Sequence, residues 1–112
     1  MFYSGIWNGY WEQAGFGRQV MANVTLRFAD GQISGSGRDI LGRFQFEGTY
    51  DRDGIVKMVK HYLGKHDVFY TGAYDGEGTI FGQWMVSSGN VGPFALQPER
   101  PAQVADLPIQ DL

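Results

Sequence analysis

Cysteine is absent from the 112 residues, histidine occurs only twice and proline only four times. Without cysteine there is no disulfide frame, no thiolate nucleophile and no zinc–thiolate site. No apolar run approaches the roughly 20 residues that a membrane-spanning helix needs. The opening "MFYSGIW" has neither the basic region nor the apolar core of a secretory leader, so a reduced, cytoplasmic setting is expected. A formal charge of −3 argues against nucleic acid as the main partner. Helical periodicity is missing until the last residues, and a 43% hydrophobic fraction argues against disorder over most of the chain.

What is abundant is glycine, 17 residues, and aromatic side chains, 15% of the chain. Together they suggest β structure, because rings suit a pleated surface and glycine supplies turns and close approaches. The pairs Asp30-Gly31, Asp53-Gly54 and Asp75-Gly76 each sit between alternating runs and read as two-residue hairpin turns. Further breaks stand at "EQAGFGR", "DILGR", "LGKH" and "SSGNVG". This punctuation predicts eight strands, over 2–12, 18–28, 32–39, 43–50, 55–62, 66–74, 79–86 and 93–97. Eight short strands without a long crossover predict an all-β fold: a single antiparallel up-and-down barrel, closed so that no edge is exposed. Residues 1–98 form this domain, and 99–112, "ERPAQVADLPIQDL", an extended or partly disordered tail.

Alternate turns of such a barrel fall at opposite ends. The three Asp-Gly turns share one tightly connected end, and the other breaks share a roomier one. Period-two alternation then assigns faces. The inward sets are Val20, Ala22, Val24, Leu26 and Phe28; Ile33, Gly35, Gly37 and Asp39; and Phe44, Phe46, Gly48 and Tyr50. Later strands are apolar on both sides, and the sets containing Tyr62, Tyr70 and Trp84 are taken as inward. Ile55, Val59, Phe69, Phe81 and Met85 are then left outside, opposite a polar face on strands two to four. A contiguous apolar patch on a barrel exterior predicts a partner surface, here a symmetric homodimer. The competing expectation is that Val104, Leu107, Ile109 and Leu112 of the tail cover it.

"GIWNGYW" at 5–11 carries a Gly-x-Trp that resembles the first-strand signature of lipocalin-like and avidin-like barrels. "FEGTYD", "YTGAYDGEGTI" and "FGQWMVSSGN" follow in the order and approximate spacing of the avidin/streptavidin group. The resemblance spans most of residues 5–98 and implies an eight-stranded meander barrel. It matches Trp84 to an aromatic that lines the biotin pocket. Gly9 stands where that family has a polar pocket residue, and no aspartate near the last strand matches the pocket aspartate, so the full biotin pocket is not implied.

The only two histidines fall in "KHYLGKH", residues 60–66, a hairpin corner at the roomy end. There Arg18, Arg38, Arg43, Lys60, Lys65, His61 and His66 outnumber Glu12, Asp39 and Asp67, whereas the sewn end holds Asp30, Asp51, Asp53, Asp75 and Glu77. A positive mouth on a low-dielectric barrel favours a small anionic or apolar-anionic ligand. Trp11, Asp39, Lys60, Tyr62, His66, Tyr70 and Trp84 are its expected lining. Lysine and aspartate are seldom buried unpaired, so inward Asp39 and Lys60 either form an ion pair or stand at a solvated mouth, unless the strand phase is wrong. The alternative is a solid barrel, filled by its own side chains and used as an interaction module. A weaker one is a small enzyme using His66, Lys60 and Tyr62 as acid–base groups. No nucleophile elbow or compelling carboxylate pair supports catalysis. His61 and His66 point to opposite faces, which disfavours a metal site. No cofactor is expected, and "GSGRD" has no helix after it to bind phosphate.

Overall fold

The computed structural model describes residues 2–99; the expected tail lies, from residue 100 onward, outside them. Eight strands follow one another: β1 Gly5–Gln13, β2 Gly17–Ala29, β3 Gln32–Asp39, β4 Gly42–Tyr50, β5 Ile55–Tyr62, β6 Asp67–Tyr74, β7 Ile80–Met85 and β8 Val91–Pro98. Each pairs antiparallel with its neighbours in sequence, and β8 closes on β1, giving an up-and-down barrel. The strand count, order and direction agree with the sequence reading. Residues 2–4 precede β1 and are not part of it, in contrast to the expected first strand.

Of the three Asp-Gly pairs, only Asp30-Gly31 makes a two-residue hairpin. Ala29 pairs with Gln32, and both turn residues have positive φ, 53° and 78°. That is the left-handed geometry in which glycine is strain-free and aspartate tolerable. The other two turns are longer. Asp51 accepts hydrogen bonds from the Asp53 and Ile55 amides, and Asp75 from those of Glu77 and Thr79. The aspartate that opens each loop organises it through its side chain.

The inward sets of β3 to β7 are as alternation predicts; the first half of β2 is not. Met21 is buried and Val20 is 69% exposed, the reverse of the expected phase. The cause is a β-bulge. Between the pairs Trp7–Val24 and Gly9–Met21, β2 holds two residues where β1 holds one, and the same excess recurs against β3. Asn23, within the bulge, has φ 54° and absorbs the extra residue. Val24, Leu26 and Phe28 keep their predicted face beyond it, while Val20 and Ala22 lose theirs.

Side chains plug the interior through most of its length. Trp7, Phe44, Phe46, Met58, Tyr70, Phe94 and Leu96 are all buried. At the sewn end Phe2 folds in as a stopper, its ring 4.7 Å from Phe28, 4.9 Å from Tyr50 and 5.1 Å from Tyr74. Closure of so narrow a barrel requires close backbone approach at the places where strands coil. At Gly82 an added Cβ would run into the Thr71 carbonyl oxygen and the Gly72 Cα of the paired strand, leaving no space for a methyl group. Gly82→Ala is therefore expected to lower stability by about 2 kcal/mol or more. Urea midpoints compared with the exposed Gln83→Ala would check this; equal midpoints would show that the strands can part there at no cost.

Candidate functional site

The open end is formed by the turns β1–β2, β3–β4, β5–β6 and β7–β8. It holds a cavity of about 390 Å³ that opens to solvent. Trp11, Tyr62, Trp84, Leu41, Val68 and Val86 form its apolar walls, and Gln13, His66, Asp67, Ser87, Ser88 and Asn90 its polar rim.

Directly beneath lies a buried ionic cluster. Asp39, at the end of β3, and Lys60, on β5, meet at 2.6 Å, with side chains 0% and 1% exposed. Lysine and aspartate are almost never fully buried unless paired, because desolvating either charge alone is prohibitive. Here each is fully provided for. The Lys60 ammonium has three acceptors, Asp39 Oδ2, the Tyr70 hydroxyl at 3.2 Å and Met21 Sδ at 3.6 Å. Rings surround it as well, with Phe44 at 4.2 Å and Tyr62 at 4.7 Å from Nζ. Asp39 Oδ2 also accepts from the Tyr62 hydroxyl at 2.6 Å and the Trp11 indole at 3.0 Å, and Oδ1 from the Leu41 amide at 2.9 Å.

Burial works to raise the Asp39 carboxyl. The Lys60 ammonium, as donor and as charge, outweighs it together with Tyr62 and Leu41, so the group is held below its ordinary 3.8. Burial pushes Lys60 down to about 8 despite the Asp39 carboxylate. The pair is thus ionised at neutral pH. Burial, reinforced by the Asp39 charge, holds the Tyr62 and Tyr70 phenols above the ordinary range.

The seven residues expected to contact a ligand therefore divide. Trp11, Tyr62, His66 and Trp84 line the cavity together, whereas Asp39, Lys60 and Tyr70 lie below its walls. His66 is exposed in the β5–β6 turn rather than in a strand, 5.2 Å from the Tyr62 ring. His61 points outward to Asp67 at 2.8 Å and Glu47 at 3.3 Å, and Asp67 above all holds its imidazole pKa above the usual value. Among the described residues no group of three His, Asp or Glu is placed to hold a metal ion. Sequence reasoning missed the contribution of Gln13, Leu41, Asp67, Val68, Val86, Ser87, Ser88 and Asn90. The signal for three of them was "SSGNVG", a break that falls at the same end as "KHYLGKH".

No family model matches the chain, and no curated protein does. Similar solved structures exist. The redesigned β-barrel mFAP1, bound to DFHBI, is 16% identical over 85% of this chain and 94% of its own, with TM-score 0.66. The redesigned barrel mFAP0, also bound to DFHBI, is 17% identical over 85% and 97%, with TM-score 0.61. At this identity the likeness establishes the barrel fold alone. The avidin resemblance gains no family match from these comparisons. No helix among the described residues is long and apolar enough to cross a membrane.

The buried cluster has a consequence for alkaline stability. Lys60 titrates near 8 when folded and near 10.5 when free, so between these values the unfolded chain binds more protons and stability rises with pH. Tyr62 and Tyr70 ionise near 10 only in the unfolded chain, which reverses the trend above that pH. Urea unfolding at successive pH values should show this rise and fall. Stability that does not rise between pH 8 and 10 would mean that Lys60 is not perturbed.

Proposed function

We propose that the protein is a non-catalytic barrel that binds a small, largely apolar molecule in its open-end cavity, with an anionic group of the ligand at the rim. The observation that carries this is the state of the cavity's own polar atoms. The Trp11 indole and Tyr62 hydroxyl both donate to Asp39, and the Trp84 indole donates to the Glu12 carbonyl at 2.9 Å. Among the described residues no buried side-chain nitrogen or oxygen lacks a partner. What the walls offer a ligand is therefore ring surface, which selects flat apolar molecules. Polar recognition falls to the rim, where Gln13, His66, Ser87, Ser88 and Asn90 gather. Asp67, the rim carboxylate, already engages His61, and Lys60 is neutralised inside, so the preference for an anion comes from His66 and the neighbouring Lys65. The designed barrels that resemble it hold a small molecule, DFHBI, and the avidin-like motifs of residues 5–98 support the same general use of a barrel.

Fluorescence titration with anilinonaphthalene sulfonate and with uncharged phenylnaphthylamine tests both parts. Saturable binding at one site is expected, tighter for the sulfonate. Val86→Trp, which fills the cavity from a half-buried wall, should weaken it by about tenfold or more. An unaltered melting temperature would separate this from unfolding. Binding indifferent to Val86→Trp would remove the cavity from consideration.

A second reading, self-association, rests on the barrel exterior. Val59, Phe69, Met85 and Val91 lie in one register row across β5–β8, and Ile55, Ala73, Phe81 and Ala95 in another. Phe69, Phe81, Met85 and Val91 are each 44–51% exposed. Four strands at about 4.8 Å spacing make this a face about 19 Å wide, while β2–β4 expose Thr25, Arg27, Ser34, Ser36, Gln45 and Glu47, with Val20 their one strongly exposed large apolar side chain. A second copy of the chain is the occupant that this reading names. Sedimentation should show a dimer that Phe81→Asp splits; an unchanged coefficient in the variant would reject the assignment.

A further inference from the structure

The open-end cavity draws its walls from strands that are far apart in sequence, and one side chain touches three of them. Trp11 from β1, Leu41 from the β3–β4 turn and Tyr62 from β5 all line the cavity, and all three donate to the Asp39 carboxylate, at 3.0, 2.9 and 2.6 Å. Asp39 itself does not line it.

We propose that Asp39 is the positioning residue of the cavity, a single buried carboxylate that sets the orientation of Trp11, Leu41 and Tyr62, with Lys60 as the counter-charge that keeps it ionised. The inference rests on the ligand-binding reading above and reassigns Asp39 and Lys60 from ligand contacts to the support behind the walls.

The geometry supports this in three ways. The two carboxylate oxygens divide the work: Oδ1 holds the turn through the Leu41 amide, and Oδ2 gathers the two aromatic walls and the lysine. The bonds are charge-assisted and lie in a water-excluded interior, where a fixed acceptor restrains ring orientation more strongly than apolar packing does. Lys65 reinforces the same turn from outside, donating to the Leu41 carbonyl. An anion so placed without Lys60 would be an uncompensated buried charge, so the pair functions as a unit.

The three tryptophans supply an internal control. Trp7 donates to the Tyr3 carbonyl and Trp84 to the Glu12 carbonyl, both neutral acceptors, while Trp11 alone donates to a carboxylate beside a titrating neighbour. The groups around Lys60 are Asp39 from β3, Tyr62 from its own strand and Tyr70 from β6, with uncharged Trp11, Met21 and Phe44 from β1, β2 and β4. His66 rests against the outer side of Tyr62. As Lys60 loses its proton near pH 8, the Trp11 indole N–H should therefore shift while those of Trp7 and Trp84 do not.

The experiment combines indole 1H–15N spectra over pH with titration of anilinonaphthalene sulfonate, on the unaltered chain, Lys60→Met and the double variant Asp39→Asn with Lys60→Met. The double variant leaves no buried charge, but its amide presents a donor where one carboxylate oxygen accepted. Expected are a Trp11 indole that alone responds to pH in the unaltered chain, a response moved to lower pH in Lys60→Met, where the uncompensated Asp39 carboxylate itself takes up a proton, and a folded double variant whose Trp11 indole no longer responds and which binds the probe about tenfold more weakly. A folded double variant with undiminished affinity overturns the positioning role. If the double variant does not fold, Tyr62→Phe decides: it removes one donor to the Asp39 carboxylate and keeps the ring, so undiminished affinity there would overturn the role as well. An unaltered chain that binds no probe refutes the ligand-binding reading instead, a result distinct from binding that ignores the substitution.

Discussion

Two opposite charges stand in the interior of a barrel too narrow to admit water around them, and everything above them is arranged on that pair. Asp39 and Lys60 are sealed from solvent, so each must find its full set of partners among side chains. The partners come from β1, β2, the β3–β4 turn, β5 and β6. A cluster of this kind ties together strands that hydrogen-bonded ladders connect only to their immediate neighbours. Apolar residues of similar volume could pack as well, and buried ion pairs are often no more stabilising than such replacements. What the carboxylate adds is direction: it orients two ring walls and a turn that packing alone would leave freer to move.

The two ends of the barrel differ for reasons of local chemistry. At the sewn end, Phe2 stacks among Phe28, Tyr50 and Tyr74, and aspartate side chains organise the two longer turns. That end is filled. At the other end the walls stop at Trp11, Tyr62 and Trp84, and the turns above them, where exposed Phe16, Ile40 and Leu63 stand among polar residues, leave a cavity of about 390 Å³. The interior is thus solid for most of its length and hollow at one mouth, which combines two arrangements that the sequence reading set against each other.

Much of the architecture was legible because its causes are local. Alternation across residues 32–62 assigned Ile33, Phe44, Phe46, Val56, Met58, Lys60 and Tyr62 to the interior, and all are buried. The same rule failed at Val20 and Met21, because a bulge at Asn23 inserts a residue and inverts the phase of everything before it. Asparagine in αL geometry leaves little trace in a strand that otherwise alternates well. The longer loops at Asp51 and Asp75 were also read as tight hairpins, since an Asp-Gly pair alone does not reveal that an aspartate, upstream of the pair at Asp51 and within it at Asp75, caps a longer loop. At the site, Trp11, Tyr62, His66 and Trp84 were placed at one mouth, but whether Asp39 and Lys60 paired in the interior or stood in a solvated mouth was left open, and Tyr70 was placed in the lining.

By itself, the sequence determined the strands, their order and the end at which polar groups gather. These follow from periodicity and turn chemistry, which act over a few residues. Whether Lys60 reaches water or Asp39 was decided only by the tertiary structure. That outcome depends on barrel closure, which brings the Asp39 and Lys60 side chains, from strands β3 and β5 on either side of β4, to 2.6 Å across the interior and shuts solvent out. Burial is a property of the closed sheet, and no local pattern encodes how far below the rim a given side chain will end.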